Sequence, residues 1–264
     1  MEPVSEDLGL LLVEQFREQM NNLAAAVQLL TPVLREKGGA QYEPYVAILH
    51  QSMYRMMRML GNLEHLQMPE DELSMERTSL DLAGLCRTLG DQVASLARQA
   101  GLEFTYEEER SSLITTGDGG LLRRLLLCLL SNAFRAAGKG GHTGLRLTVR
   151  KDRAVLTVWD DGPGLALPPD PETEADLLRR PDGLGLGLRV ARRIAGLHGG
   201  AIVYEQREER GARAIVSLPI RPPEEGEILR APRVDWDRSG GFSDLMVELS
   251  AVLPYEAFLP GDLE

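Results

Sequence analysis

Asp160-Asp161-Gly162-Pro163-Gly164-Leu165 closes an apolar alternating run, and Gly183-Leu184-Gly185-Leu186-Gly187-Leu188 opens an apolar helical one. Upstream, Asn132 sits in Leu129-Leu130-Ser131-Asn132-Ala133, near the end of an apolar helix. In this order the three stretches describe a sheet-and-helix sandwich with a nucleotide site at one end. A carboxylate at a strand end, Asp160, is placed to accept a hydrogen bond from an exocyclic amine such as that of adenine. Gly162 and Gly164 let the backbone turn tightly and approach a flat ring, and Pro163 stiffens the turn. Alternate glycines before a helix expose backbone N–H groups where the helix end adds partial positive charge, which suits a polyphosphate. The dinucleotide-binding pattern GxGxxG has another spacing and follows a strand directly, so that fold is set aside.

Asn132 offers an amide oxygen as a hard ligand for Mg²⁺ bridging phosphates. Arg135, three residues on and on nearly the same face, is in reach of a phosphate. Read singly, Asp160 could be a plain strand-end turn, Asn132 a polar helix end and Arg135 a solvated surface residue. Their combination carries the nucleotide reading.

Around these stretches, strands and helices are mixed. Ser79 to Leu82 reads as a short strand, followed by a helix to about Ala100, and Leu102 to Tyr106 as a strand. Asp118 starts the Asn132 helix, which runs to about Ala137. Leu145 to Val149 and Ala154 to Trp159 alternate as two strands with Lys151-Asp152 at the turn. Leu188 to Leu197 is a helix, and Ala201 to Tyr204 and Arg213 to Leu218 are strands. The expected fold class is α+β, with antiparallel neighbours in the sheet.

The first 67 residues differ. Phe16, Met20, Leu23, Val27, Leu30 and Leu34 are spaced 4, 3, 4, 3, 4, a heptad seam. Gly38-Gly39 breaks it, and Pro32 is a candidate kink. Tyr42, Val46, Leu49, Met53, Met56, Leu60 and Leu63 form a second seam. Two such helices make a hairpin with little of its own to bury, so a homodimer through residues 8–66, closing a four-helix bundle, is expected. The domain boundaries read as a hairpin over 1–67, a polar linker over 68–77, an α/β domain over 78–221 and a tail over 222–264. The tail carries a short amphipathic piece, Asp244 to Leu253, with Leu245, Leu249 and Val252 on one face and no indicated docking place.

The 264 residues are 43% hydrophobic, enough for a large core, and carry a net charge of -11 with a pI near 5.0. That acidity argues against phosphate-backbone binding as the main task. Cys86 and Cys128 lie in apolar helical runs and read as reduced core thiols. No basic segment followed by an apolar stretch opens the chain, and Leu8 to Val13 is far shorter than the ~20 residues a bilayer needs. A cytoplasmic protein is the expectation.

The three stretches resemble the ATP-binding domain shared by histidine kinases, gyrase, heat-shock-protein ATPases and mismatch-repair ATPases. Leu129 to Ala133 matches the N box, Asp160 to Leu165 the first G box and Gly183 to Leu188 the second. Val190-Ala191-Arg192-Arg193-Ile194 and Leu197-His198-Gly199-Gly200 make the second G box look like that of histidine kinases in particular. The resemblance covers roughly residues 78–220, and the hairpin matches the family's dimerisation-and-phosphotransfer domain in position and length. It implies ATP and Mg²⁺ as cofactors under a lid at about Ala166 to Asp182, Asp160 reading adenine, Asn132 holding Mg²⁺, and Gly183, Gly185, Leu186, Gly187 and Leu188 cradling phosphate beside Gly162, Gly164 and Leu165. A response regulator is the implied partner.

The departures bear on activity. A phosphoacceptor His is expected in the first hairpin helix, but depending on register that position holds Arg17 or Glu18, and neither offers the imidazole nitrogen that the family phosphorylates. The first histidine in the chain is His50, in the second helix. Cys128 stands where hydrolysing relatives carry a Glu base, so brisk ATP hydrolysis is not expected. Leu177-Leu178-Arg179-Arg180 replaces the aromatic box. Three functions remain open: an ATP-binding histidine-kinase-like protein without the standard acceptor, an active kinase phosphorylating His50 or a partner, and a non-catalytic dimeric scaffold docking a response regulator.

Overall fold

The computed structural model describes residues 4–38, 40–69, 75–164, 185–222 and 243–259. The chain divides into two compact units, Met1–Leu73 with Trp236–Glu264, and Ser74–Asp235.

In the second unit the elements are β1 (Thr78–Asp81), α3 (Leu82–Gln99), β2 (Glu103–Glu108), β3 (Ile114–Gly117), α4 (Gly119–Ala137), β4 (His142–Arg150), β5 (Arg153–Asp160), α5 (Leu186–Leu197), β6 (Ala201–Gln206) and β7 (Ala212–Pro219), with α1 and α2 given below. Five strands form one sheet in the order β2-β4-β5-β7-β6, antiparallel except for the parallel β2–β4 pair. That parallel pair and the short β3, which pairs with β1, go beyond the sequence reading. β3 is only four residues, Ile114-Thr115-Thr116-Gly117, too short for a period to show.

Asp81 and Asp118 each cap a helix. Asp81 Oδ1 accepts from Ala83 N at 3.1 Å, and Asp118 Oδ1 from Leu121 N at 3.0 Å. α4 is the centre of the core. Leu125, Leu126, Leu127 and Leu130 are buried all round it, because β4 and β5 pack on one flank and α3 and α5 on others. Cys86 and Cys128 are buried in the core and form no disulfide.

The first unit is a hairpin of α1 (Val4–Gly38) and α2 (Glu43–Gln67), joined through a 3₁₀ turn at Ala40–Tyr42. Pro32 lies within α1. The face α1 turns inward is not the expected seam. Val13, Met20, Ala24, Val27 and Thr31 are buried, and half-buried Arg17 completes a 4, 3, 4, 3, 4 spacing by pairing with Glu64 of α2. Of the expected seam only Met20 and Val27 are buried, while Phe16, Leu23, Leu30 and Leu34 are exposed. Two heptad stripes run side by side and share Met20 and Val27, so the periodicity alone fits either.

α2 buries two faces. Val46 and Met53 of its expected seam are buried, whereas Tyr42 and Leu49 are exposed. The other face is covered by the tail, which forms α6 (Asp244–Leu249) and a 3₁₀ turn at Tyr255–Phe258. The tail's buried apolar residues are Met246, Val247, Leu249, Leu253, Ala257 and Phe258. Leu245 and Val252, expected on the buried face with Leu249, are only half-buried. The helix ends at Leu249, so a single helical period does not extend to Val252. Gln51 Nε2 donates to the Leu253 carbonyl at 2.7 Å, Arg55 Nε to the Ser250 carbonyl at 3.1 Å, and Arg58 pairs with buried Glu248 at 3.2 Å. Gln51 and Arg55 thus satisfy carbonyls at and beyond the end of a short helix, and Arg58 pairs with the buried carboxylate.

Candidate nucleotide site

The site is assembled where α4 ends. Ala154, Leu156, Val158 and Asp160 share the inward face of β5 and are all buried. Asp160 thus continues a core stripe with a carboxylate, and the residue is 4% exposed. Its Oδ1 accepts from Gly162 N at 2.9 Å and from Ala212 N at 3.3 Å. Among the described residues Oδ2 accepts no hydrogen bond. Burial pushes the Asp160 carboxyl above the usual carboxylate range, and the Gly162 and Ala212 N–H groups pull it partly back.

Gly162 is glycine for a reason beyond ring approach. A Cβ there would strike the main-chain carbonyl of Ala136 on α4. Gly164 has φ +90° beside the Gln206 side chain. The Gly162 contact ties the β5 turn to α4. Asn132 lies four residues before Ala136, hence one turn back, about 6 Å along the same helix face. Its Oδ1 accepts from Arg135 Nη2 at 2.9 Å, so both residues are half-exposed or exposed and held together.

Gly185 is the left-handed residue that starts α5, with φ 65°. Leu186 is buried, and Gly187 and Leu188 are half-buried in the first turn. Leu165 and Gly183, the lid at 166–182 and the Leu177-Leu178-Arg179-Arg180 segment lie outside the described residues. The direction of α5 follows from His198. Its Nδ1–H donates to the Ile194 carbonyl at 2.8 Å, which leaves Nε2 to accept from Asp118 N at 3.1 Å. The C-terminus of α5 is therefore bound to the N-terminus of α4. Since the two helices pack along each other, α5 runs back antiparallel and its first turn faces the Asn132 end of α4. Burial holds the His198 imidazole below its ordinary value, consistent with this neutral tautomer.

The arrangement offers a buried carboxylate at a strand end, an amide oxygen near the end of α4 and a helix opened by a left-handed glycine. No group of three or more His, Cys, Asp or Glu among the described residues could hold a metal ion. The amide oxygen of Asn132 is a hard donor of the kind that could serve a Mg²⁺ carried on a polyphosphate.

The hairpin residues are placed differently. Arg17 pairs with Glu64, and Glu18 is exposed. His50 is buried, and its Nδ1–H donates to the Phe258 carbonyl at 3.2 Å. The residues missed by sequence are those of the β6–β7 turn, Arg207, Arg210, Gly211 and Ala212, which surround Asp160 from a position more than 45 residues away. Gly211 in a charged turn was the only local sign.

A strand-end carboxylate, a glycine turn against a helix and a second glycine-started helix define a nucleotide-binding α/β sandwich of the histidine kinase and gyrase type. Residues 117–222 match the family model described as histidine kinase-, DNA gyrase B-, and HSP90-like ATPase. The chain is 34% identical over 164 residues to sensor protein CutS of Streptomyces coelicolor, covering 57% of this chain and 38% of that one. It is 29% identical over 209 residues to sensor protein BasS of Escherichia coli, covering 74% and 54%. Among solved structures, full-length ShkA in complex with AMPPNP superposes with a TM-score of 0.63 at 25% identity, over 81% of this chain and 46% of that one. The chain carries a histidine kinase family ATP-binding domain. It spans 38% and 54% of the two sensor proteins. No described helix is long and apolar enough to cross a membrane.

Proposed function

We propose that this chain is a Mg-ATP-binding signalling protein of a two-component or related phosphorelay that lacks the usual phosphoacceptor histidine. The observation that carries the reading is Asp160, a buried carboxylate with one oxygen open to a donor at the end of a core stripe. That oxygen is not sealed off in the core, so a ligand amine can reach it and take the place of water. Asn132 and Arg135 take the Mg²⁺ and phosphate roles, with Gly183, Gly185, Leu186, Gly187 and Leu188 along the phosphates and Gly162, Gly164 and Leu165 beside the base.

Calorimetry with Mg-ATP tests the site. Binding by the wild type, lost in Asn132→Ala, is the expected result, and absence of wild-type binding sinks it. Labelled ATP tests the missing acceptor. No acid-labile label is expected, because Arg17 is engaged with Glu64 and the His50 ring is buried, with its Nδ1–H held by the Phe258 carbonyl of the tail. An acid-labile label lost in His50→Ala would restore the active-kinase reading.

The exposed stripe of Phe16, Leu23, Leu30 and Leu34 with Tyr45, Ile48 and Leu49 supports a second copy as its cover, closing a four-helix bundle through residues 8–66. The partner outside the dimer is a response regulator, met in the cytoplasm.

A further inference from the structure

Asp160 is held from behind by a turn that no part of the nucleotide pattern includes. Arg207 Nη1 donates to the Asp160 carbonyl oxygen at 2.7 Å. Its guanidinium lies over the ring of Trp159, the preceding residue, 4.7 Å from the centroid. The turn is closed by Arg207 N–H donating to the Gly211 carbonyl at 2.9 Å. Gly211 has φ +90°, and a Cβ there would collide with the Asp160 carbonyl. The next residue, Ala212, supplies one of the two N–H groups on Asp160 Oδ1. On the other side of the strand end, His142 meets the Trp159 ring edge-on at 4.7 Å and gives its backbone N–H to Asp161 Oδ1 at 2.8 Å. The guanidinium is thus oriented by an indole and aimed at one carbonyl.

We propose that Arg207 is a positioning residue for base recognition: it pins the Asp160 main chain and keeps a cation beside the carboxylate, aiming Oδ2 at the exocyclic amine of the base. This rests on the adenine reading of Asp160. Adenine presents an amine donor where guanine presents a carbonyl acceptor. An ionised Asp160 accepts from the first and repels the second, whereas a protonated one donates to the second. Burial and the neighbouring Asp161 favour the protonated form, and the Gly162 and Ala212 N–H groups and the Arg207 charge oppose it. Among the described residues, the other charged or titratable groups against this turn are Arg210, whose Nε reaches the Gly162 carbonyl at 3.4 Å, and His142. Without Arg207 the balance shifts toward protonation, so base preference becomes sensitive to acid.

The experiment measures Mg-ATP and Mg-GTP affinity of the full chain at pH 8 and pH 6 for wild type, Arg207→Ala and Arg207→Lys. Fluorescence in a Trp236→Phe background leaves Trp159 as the reporter of the turn without nucleotide. The expected result is a loss of about tenfold in ATP affinity for Arg207→Ala at pH 8, a larger loss at pH 6, and a smaller preference for ATP over GTP. Arg207→Lys restores the pH profile, since it keeps the charge, but not the whole affinity. Equal losses at both pH values and for both nucleotides, or no loss while Trp159 emission changes, overturn the proposal and leave the ATP site standing. A wild type that binds no nucleotide sinks the adenine reading and this proposal together.

Discussion

α4 and α1 are both long apolar helices, yet they meet different neighbours. Leu125, Leu126, Leu127 and Leu130 point to several sides of α4 and all are buried, because sheet and helices surround it. Around α1, by contrast, Phe16, Leu23, Leu29 and Leu30 are exposed while Val13, Met20, Ala24 and Val27 are buried. The α/β unit buries its central helix on all sides within one chain. The helical unit fills one side of α1 with α2, fills a second side of α2 with the tail, and leaves a third stripe exposed.

If the helical unit depends on its tail, Phe258→Ala has the largest effect. The side chain is fully buried with its ring 5.3 Å from that of Tyr54, so a loss of about 3–5 kcal/mol is expected. Thermal unfolding by circular dichroism should show the hairpin transition fall while Mg-ATP affinity stays unchanged. A uniform loss across both units would break the division drawn above.

The second comparison is at the site. Asp160→Asn puts an amide where an acceptor is needed, and ATP affinity should fall at least about a hundredfold without loss of the α/β fold. Calorimetry reads the affinity, and Trp159 fluorescence reads the fold. Unchanged affinity would mean that the strand-end carboxylate is only a turn residue.

Acid should weaken both units for the same reason. His50 and His198 each have a folded value lowered from 6.5 by burial. The neutral form is the one that folds, so each contribution is present in full above the unfolded value and is lost as pH falls below it. Melting followed from pH 7.5 to 5 should show both transitions drop. His198→Gln should flatten the dependence of the α/β transition alone, and a hairpin transition flattened as well would refute that assignment.

The smallest effect on a single chain is expected at the open stripe. Leu23→Ser with Leu30→Ser should change monomer stability by no more than ~0.5 kcal/mol per site, while sedimentation shows weaker self-association. Destabilisation by several kcal/mol would place those leucines inside the chain's own core.

The α/β unit was largely legible from its residues. Asp118 announces α4 as a cap, Lys151-Asp152 marks the β4–β5 turn, and Asp160 and Gly185 stand at a strand end and a helix start, as their types demand. The helical unit was legible as two helices but not in rotation. Met20 and Val27 belong to two heptad stripes at once, and nothing local selects between them.

By itself, then, the sequence determined which segments become the main strands and helices of the α/β unit and pointed to candidate nucleotide residues, because capping, period and glycine turns act over a few residues. Only the tertiary structure decided which stripe of α1 faces inward, that the tail covers His50, and that Arg207 stands behind Asp160. Those choices depend on partners 47 to 208 residues apart, and a contact at that separation leaves no periodic trace in the chain. Arg207 is one basic residue in a charged turn until β6 and β7 fold back along β5 and bring it to Asp160.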